Sequence, residues 1–302
     1  MNLVNIWRIS RGNFKTFMMI QRSSTAKSTM SKRQNGTSYT PGNKSHIFIY
    51  GGEGSSEDCR KHCYEALVKV VDSCYHPIKY ISPEEIKEGS WTKTCCLIVF
   101  GGGYDLGFIN ALGSKGTLII REFVRNGGSY LGFCAGAYWA CDYIEFDKGG
   151  PLEVVGERFL KFYPGNCIGP AHPGFGYKHK KGVHAAPTSY KGIHFRSYLH
   201  GGGFFTLPRI NKSCVPDYAK STYEILGEFT SLDRDQAAFV KCSVGRGTAM
   251  LSAVHVEFPA ALLDQENANL KQVIPLLLKS EEARDFVFRD ILLQVRVRLK
   301  PP

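Results

Sequence analysis

Residues 129–139 read Ser-Tyr-Leu-Gly-Phe-Cys-Ala-Gly-Ala-Tyr-Trp, a segment that joins an apolar strand directly to a helix. Ser129–Phe133 predicts a buried strand, and Ala135–Tyr143 predicts the helix that follows it. Between them, Cys134 stands in a Gly-x-Cys-x-Gly turn, the pattern of a nucleophile elbow. Such a turn strains its central residue and exposes the side chain at the carboxyl edge of a sheet, where the positive end of a helix favours a thiolate.

The segments before this turn have the pattern of an α/β protein. Apolar runs predict strands at His46–Tyr50 and Cys95–Phe100. A capping pattern starting at Ser55 predicts a helix that continues to about Tyr75, and Thr117–Arg125 predicts another helix. Alternating strands and helices with short connections predict a mostly parallel sheet with helices on both faces.

The second half of the chain predicts an antiparallel extension of this sheet. Ala237–Cys242 and Thr248–Val254 flank a Gly-Arg-Gly turn and predict an antiparallel pair. Gly192–Leu199 predicts another short strand, and Ser280–Val295 predicts a closing helix with Ala283, Phe286, Val287 and Ile291 on one face. We therefore expect a single α/β domain over residues 45–302.

The basic charge of the chain is concentrated in its first 50 residues. The net charge is +11, and these residues carry eight basic side chains and no acidic one, which leaves +3 for the rest. We expect residues 1–44 to be a disordered basic segment. Its Arg-rich, Ser/Thr-rich and acid-free composition also fits a mitochondrial targeting peptide, while a start at Met30 would give a cytoplasmic form.

Several classes of function are disfavoured by the sequence. The rest of the chain is nearly neutral and holds no nucleic-acid-binding signature, so no nucleic-acid partner is expected. No apolar run approaches the roughly 20 residues of a membrane span, so no membrane partner is expected either. The ten cysteines contain no Cys-x-x-Cys pair, and the histidines at 172, 179, 184, 194 and 200 lack metal-ligand spacing. We therefore expect no metal and no cofactor, and the scattered cysteines fit free thiols in a reducing compartment.

A cysteine nucleophile needs a base and a group that orients the base. His255 follows the predicted strand Thr248–Val254 and starts the triplet His-Val-Glu. In an extended chain, residues two apart project to the same side, so Glu257 can hold the imidazole. The alternative is an exposed histidine without this role.

An acyl-transfer site also needs backbone N–H donors for the developing oxyanion. The glycine turn after Cys95–Phe100 lets the backbone approach a substrate closely, and Gly102, Gly103 and Ala135 are the predicted donors. The alternative is an ordinary turn at the end of a strand.

The glycine turn, the cysteine elbow and the late His-x-Glu resemble, in this order, the class I glutamine amidotransferases. The wider set of motifs resembles the N-terminal domain of fungal biotin–protein ligases, from about residue 45 to about residue 295. The shared segments are Phe100–Leu106, Tyr130–Gly136, Phe162–Gly165, Gly169-Pro170, Gly174-Phe175 and His255–Phe258. Gly101 and Val256 depart from the family, which often has proline at both positions. The sequence holds no counterpart of the biotin-ligase catalytic module, so biotinylation is not expected.

This resemblance implies a flavodoxin-like fold with Cys134, His255 and Glu257 as a catalytic triad. The implied function is an amide hydrolase of the glutaminase type, acting through a cysteine thioester on a small amide such as glutamine. A synthetase that accepts the ammonia would be its partner. The alternative is a catalytically silent binding or regulatory domain of the same family.

Overall fold

The computed structural model describes residues 45–206, 222–232 and 236–301. The predicted basic segment 1–44 lies outside them. The strands in this part of the chain are β1 (His46–Tyr50), β2 (Ile78–Ile81), β3 (Cys95–Phe100), β4 (Ser129–Phe133), β5 (Cys141–Phe146), β6 (Val154–Glu157), β7 (Tyr163–Gly169), β8 (His184–Tyr190), β9 (Ile193–Leu199), β10 (Phe204–Thr206), β11 (Thr222–Glu228), β12 (Ala237–Val244) and β13 (Gly247–Ser252). The α-helices are α1 (Glu57–Val70), α2 (Pro83–Glu88), α3 (Asp105–Arg125), α4 (Ala135–Trp139), α5 (Ile274–Leu278) and α6 (Glu281–Gln294).

Most strands form one mixed sheet, in the order β2-β1-β3-β4-β13-β12-β10-β7-β5-β6, with β11 also paired to β12. The pairs from β2 to β13 are parallel. From β13 onward the sheet continues through antiparallel pairs, apart from the parallel pair of β5 and β7. The predicted α/β class, with a largely parallel sheet and an antiparallel extension, is confirmed.

Helices cover both faces of this sheet at β4. The Tyr130 ring stacks on Phe100 of β3 at 5.6 Å, and Phe100 contacts Phe108 of α3 at 5.3 Å. Phe133 points to the opposite face, because side chains alternate along a strand, and lies 6.4 Å from Phe288 of α6. The buried apolar core therefore lies on both sides of the central strands.

The first two predicted helices differ from the structure at their ends. Helix α1 ends at Val70 rather than near Tyr75, and its N-cap is Ser56, whose side chain makes no cap hydrogen bond, so the capping pattern predicted from Ser55 is wrong. Helix α3 begins at Asp105, well before the predicted start at Thr117. It is kinked at Gly113, which has a φ of 57°.

The predicted helix Ala135–Tyr143 is also too long. Helix α4 ends at Trp139, and β5 begins at Cys141, because this part of the chain turns back into the sheet beside β7. At the other end of the chain α6 matches its prediction, but Phe286 is 56% exposed while Val287 and Ile291 are buried. Phe286 therefore does not belong to the buried face that the sequence predicted.

None of the helices in the described ranges is long and apolar enough to cross a membrane.

Candidate active site

Three neighbouring parallel strands end at the candidate site. Strand β3 leads into Gly101, β4 leads into Cys134, and β13 leads towards His255. Because β4 pairs with β3 on one side and with β13 on the other, the residues that follow these strands meet at one edge of the sheet. This is the edge at which open α/β sheets bind ligands.

Cys134 has a backbone conformation that residues other than glycine rarely adopt. Its φ is 49° and its ψ is −111°, and its N–H donates to Ser252 O at 2.9 Å. A non-glycine residue at positive φ stores backbone strain, which is typical of functional turns. The side chain is 6% exposed and lines a cavity. Helix α4 has only five residues, so its dipole contributes less to the thiolate than the longer predicted helix would.

The two glycines of the elbow are required by close backbone packing. A Cβ on Gly132 would lie 2.7 Å from Gly136 O. A Cβ on Gly136 would collide with Phe100 O on the neighbouring strand, and the Gly136 N–H donates to Gly101 O at 3.1 Å. The elbow is therefore pressed directly against the glycine turn that follows β3.

His255 and Glu257 form a buried pair beside this elbow. Nδ1 of His255 lies 2.7 Å from Oε1 of Glu257, and the two residues are 2% and 3% exposed. Because a carboxylate only accepts hydrogen bonds, Nδ1 carries the proton and the other ring nitrogen, Nε2, faces away from Glu257. Cys134 and His255 line the same cavity, and the thiol is one of the groups that raise the pKa of the imidazole.

The pKa of His255 reflects opposing effects. Burial alone lowers it, but the negative charge of Glu257 and the hydrogen bonds with Cys134 and Glu257 raise the pKa well above its usual range. An ionised Cys59 would act in the same direction, yet burial raises the pKa of that thiol and keeps it neutral near pH 7. The site thus favours an imidazolium held by a carboxylate.

The glycine turn lies against the imidazole. A Cβ on Gly102 would be 3.0 Å from Nε2 of His255 and 2.8 Å from the sulfur of Cys59. Gly103 has a φ of 145°, in the region that favours glycine. Within the described residues, the N–H groups of Gly103 and Ala135 donate to no backbone carbonyl. Both are therefore available to an oxyanion formed beside Cys134.

A cavity of about 410 Å³ opens in front of Cys134 and His255. Its wall includes an aromatic group made of Tyr138, Phe146, Phe175, Tyr177, Tyr198 and Phe258. Part of the rim comes from residues 175–201, including His200, where burial lowers the pKa to about 4. A volume of this size accommodates a small-molecule substrate.

A buried ion pair stands at the cavity wall. Asp105, the first residue of α3, accepts a hydrogen bond of 2.5 Å from Nε of Arg158, and both side chains are at least nine-tenths buried. Asp105 lines the cavity, while Arg158 is also held by the carbonyl oxygens of Gly156 and Glu157. The pair supplies a fixed carboxylate to a wall that contains aromatic, polar and charged side chains.

Residues that ligate metals do not cluster at this site. In the described part of the chain, no group of three His, Cys, Asp or Glu side chains could hold a metal ion. His172 and His184 approach each other, with ring centroids 4.5 Å apart, but they do so without a third ligand.

The structure brings together Cys134, Ala135, His255 and Glu257 with the turn at Gly102 and Gly103, all of which were predicted from the sequence. It also adds three residues that the sequence did not indicate: Cys59, Asp105 and Arg284. Cys59 and Arg284 reach the site from helices distant in the chain, and no motif marks them. Asp105 directly follows the glycine turn, within the shared segment Phe100–Leu106, but no role was assigned to it from the sequence.

The fold and the site define an α/β protein with a cysteine elbow that faces a buried His–Glu pair. Residues 45–301 match the family described as "Biotin-protein ligase, N terminal", and the chain belongs to this family.

Two curated relatives show how the match is distributed. Biotin–protein ligase of Schizosaccharomyces pombe is 30% identical over 246 residues, which are 78% of this chain and 37% of that protein. The chain thus spans little more than a third of this relative. An uncharacterized protein of Chlamydia muridarum is 27% identical over 261 residues, which are 84% of this chain and 97% of that protein.

Solved structures are only distantly similar. A GH42 β-galactosidase from G. stearothermophilus aligns with a TM-score of 0.46 and 10% identity, covering 84% of this chain and 30% of its own. A cytoplasmic protein of Salmonella typhimurium LT2 aligns with a TM-score of 0.44 and 11% identity, covering 82% of this chain and 98% of its own. Likeness at this level carries no information about function.

Proposed function

We propose that the protein is an amide hydrolase that uses Cys134 as its nucleophile. The observation that carries the proposal is the buried His255–Glu257 hydrogen bond beside Cys134, which is held at positive φ and lines the same cavity as His255. A nucleophile, a base and a group that orients the base are what cysteine acyl-transfer enzymes need, and Cys134, His255 and Glu257 are the proposed members of this set.

Transfer of the Cys134 thiol proton to Nε2 of His255 forms the thiolate together with the imidazolium that Glu257 stabilises. The thiolate adds to the carbonyl carbon of a carboxamide, and the N–H groups of Gly103 and Ala135 donate to the resulting oxyanion. The imidazolium then protonates the amide nitrogen, the C–N bond breaks, and ammonia leaves a thioester on Cys134. Water, deprotonated by His255, attacks the thioester, and cleavage of the C–S bond returns the thiol and a carboxylic acid.

The substrate of this proposal is a small carboxamide, such as glutamine. Three supports are the cavity volume of about 410 Å³, the aromatic wall, and the fixed Asp105 carboxylate, which can accept hydrogen bonds from a substrate N–H. If the ammonia is used in synthesis, a synthetase partner receives it. If it is not, the protein is a stand-alone amidase.

A second candidate is a binding or regulatory domain that does not turn over a substrate. Its support is the family itself, since the matching part of the Schizosaccharomyces pombe biotin–protein ligase is one segment of a longer protein. In this role the cavity binds a small ligand, and the strained cysteine serves recognition rather than catalysis.

The test is covalent labelling with an electrophilic glutamine analogue, followed by peptide mass spectrometry. The enzyme proposal expects one adduct on Cys134, slowed by free glutamine and lost in His255→Ala. Cys59→Ala is the matched thiol control and should keep the adduct. Labelling of Cys134 no faster than of an exposed thiol such as Cys74 would reject the hydrolase and leave the binding role.

The location of the protein is tested separately, because residues 1–44 lie outside the described part. We propose mitochondrial import directed by this segment, with a cytoplasmic product from Met30 as the alternative. Fluorescent fusions of the full chain and of residues 30–302 should then locate differently. Identical cytoplasmic signals from both would reject the targeting role.

A further inference from the structure

Arg284 of α6 is an unusually buried cation. Its side chain is 2% exposed, and Nη1 donates to the carbonyl oxygens of Val256 and Phe258, at 3.4 Å and 2.5 Å. A second nitrogen, Nη2, pairs with Glu281. Val256 and Phe258 are the neighbours of Glu257 in the chain, so the guanidinium holds the backbone on both sides of the proposed orienting carboxylate.

Two polar atoms near this arginine lack a partner. Nε of Arg284 and Oε2 of Glu257 are buried, and neither makes a hydrogen bond to any described residue. A buried donor or acceptor without a partner costs about 1–3 kcal/mol, and such atoms are commonly satisfied by ordered water. One donor and one acceptor, on residues that line the same small cavity, are therefore left without a partner.

A small cavity connects these two residues. Glu257 and Arg284 both line a cavity of about 30 Å³, and a buried water needs roughly 10–15 Å³ and at least two polar partners. The same cavity is lined by Lys69 and Asp285, which form a partly exposed ion pair at 3.2 Å. Water can therefore reach the cavity from the surface on that side.

The electrostatics agree with this arrangement. Burial lowers the pKa of Arg284, and the negative charges of Glu281, Glu257 and Asp285 oppose that effect. Outside the cavity lining, Glu257 pairs with His255, and its charge also acts on His62 of α1. The charged groups in and around the cavity are therefore basic Arg284 and Lys69 and acidic Glu257, Glu281 and Asp285, together with the titratable His62 and His255.

We propose that this cavity holds an ordered water that accepts a hydrogen bond from Nε of Arg284 and donates one to Oε2 of Glu257. Arg284 is then a positioning residue, which fixes the carboxylate that orients His255. Both oxygens of Glu257 are occupied, Oε1 by His255 and Oε2 by the water, so the carboxylate cannot rotate without losing a hydrogen bond. The water site stands on the geometry alone, while its effect on catalysis rests on the proposed function.

The water site is tested by a crystal structure of the full chain at a resolution that shows ordered water. The expected result is a water within hydrogen-bond distance, about 2.7–3.2 Å, of both Nε of Arg284 and Oε2 of Glu257. A direct Nε–Oε2 hydrogen bond, or a cavity without density, would overturn the proposal. This test does not depend on any activity.

The positioning role is tested by the pH dependence of Cys134 alkylation with iodoacetamide. Arg284→Met removes the charge and the donor, so Glu257 is held less well and the imidazolium is less stabilised. We expect the acid limb of the rate profile to move up by about one pH unit, which is a tenfold loss of rate on that limb. Arg284→Lys keeps the charge without Nε and should shift the limb in the same direction by less.

Arg289→Met is the matched control, because Arg289 lies on the same helix, pairs with Asp285 at 2.7 Å and does not line the cavity. Its profile should match that of the unmodified protein. If Arg284→Met does not fold, Arg284→Lys carries the test, and a Lys profile identical to the unmodified one would overturn the positioning role. If the unmodified protein shows no enhanced Cys134 reactivity, the proposed function fails, and the crystal structure still decides the water site.

Discussion

A methyl group added at Gly102 should disable the site while leaving its residues intact. In Gly102→Ala, the new Cβ would lie 2.8 Å from Cε1 and 3.0 Å from Nε2 of His255, and 2.8 Å from the sulfur of Cys59. Carbon atoms in van der Waals contact prefer about 3.5–4.0 Å. The imidazole is buried between other side chains, so it must move by roughly 0.5–1 Å to relieve the contact.

A displacement of about 1 Å in a catalytic group costs on the order of a hundredfold in rate. We therefore expect Gly102→Ala to slow labelling of Cys134 by the electrophilic glutamine analogue about a hundredfold, which corresponds to about 2.7 kcal/mol. Overpacking should lower the free energy of unfolding by about 1–3 kcal/mol. Urea denaturation monitors this loss, so that labelling is compared only between folded proteins.

The matched control is Gly101→Ala, one residue earlier in the same turn. Its Cβ would meet Cys59 Cβ at 3.6 Å, an ordinary contact, and nothing in that position touches His255. Labelling of this variant should stay close to that of the unmodified protein. Equal labelling rates in Gly102→Ala and Gly101→Ala would refute the claim that the position of the imidazole sets the reactivity of Cys134.

Three further predictions concern charge. Glu257→Gln removes the charge that raises the pKa of His255. A raised folded-state pKa stabilises the protein below the unfolded-state value near 6.5, and this stabilisation is lost as the pH rises through the folded-state value. The loss of urea stability in Glu257→Gln should therefore be largest at or below about pH 6.5, and an equal loss at all pH values would contradict this. Asp105→Ala leaves Arg158 buried without its carboxylate and should lower the free energy of unfolding, measured by urea denaturation, by about 3–5 kcal/mol. Adding Arg158→Met should restore much of this loss. A loss below about 1 kcal/mol would show that the pair is not needed for stability. His200 should titrate near pH 4 by NMR, and its contribution to stability, present above about pH 6.5, should disappear as the pH falls towards 4; a midpoint near 6.5 would contradict its burial.

The strands of the parallel core could be predicted because they are short apolar runs ending at glycine turns. His46–Tyr50, Cys95–Phe100 and Ser129–Phe133 match the structure at both ends. Because parallel strands bring their carboxyl ends to one edge, the residues that follow them could also be placed together. His255 and Glu257 were paired by assuming an extended chain, but the strand ends at Ser252 and residues 256–257 lie in a turn, so the turn brings the two side chains together.

The first half of α3 could not be predicted in this way. Gly107 and Gly113 reduce helix propensity in the sequence, yet a Cβ on Gly107 would collide with Gly54, so this glycine serves close packing against the turn after β1. The Arg284 contacts were equally hidden, because a single arginine in an amphipathic helix gives no sign that it is buried. Tertiary contacts, rather than local preference, decide both cases.

The position of β13 has a consequence for the order in which the protein matures. This strand lies between β4 and β12, and the residues after it carry His255 and Glu257. During synthesis the elbow at Cys134 emerges long before β13, whose pairing with β4 joins segments that are distant in the chain and is therefore slow. Until β13 inserts, Cys134 lacks both the neighbouring His255 and the Ser252 carbonyl that accepts from its N–H. Under the proposed function, a nascent or half-folded chain therefore carries the cysteine without its base, and labelling of this thiol reports completion of the sheet.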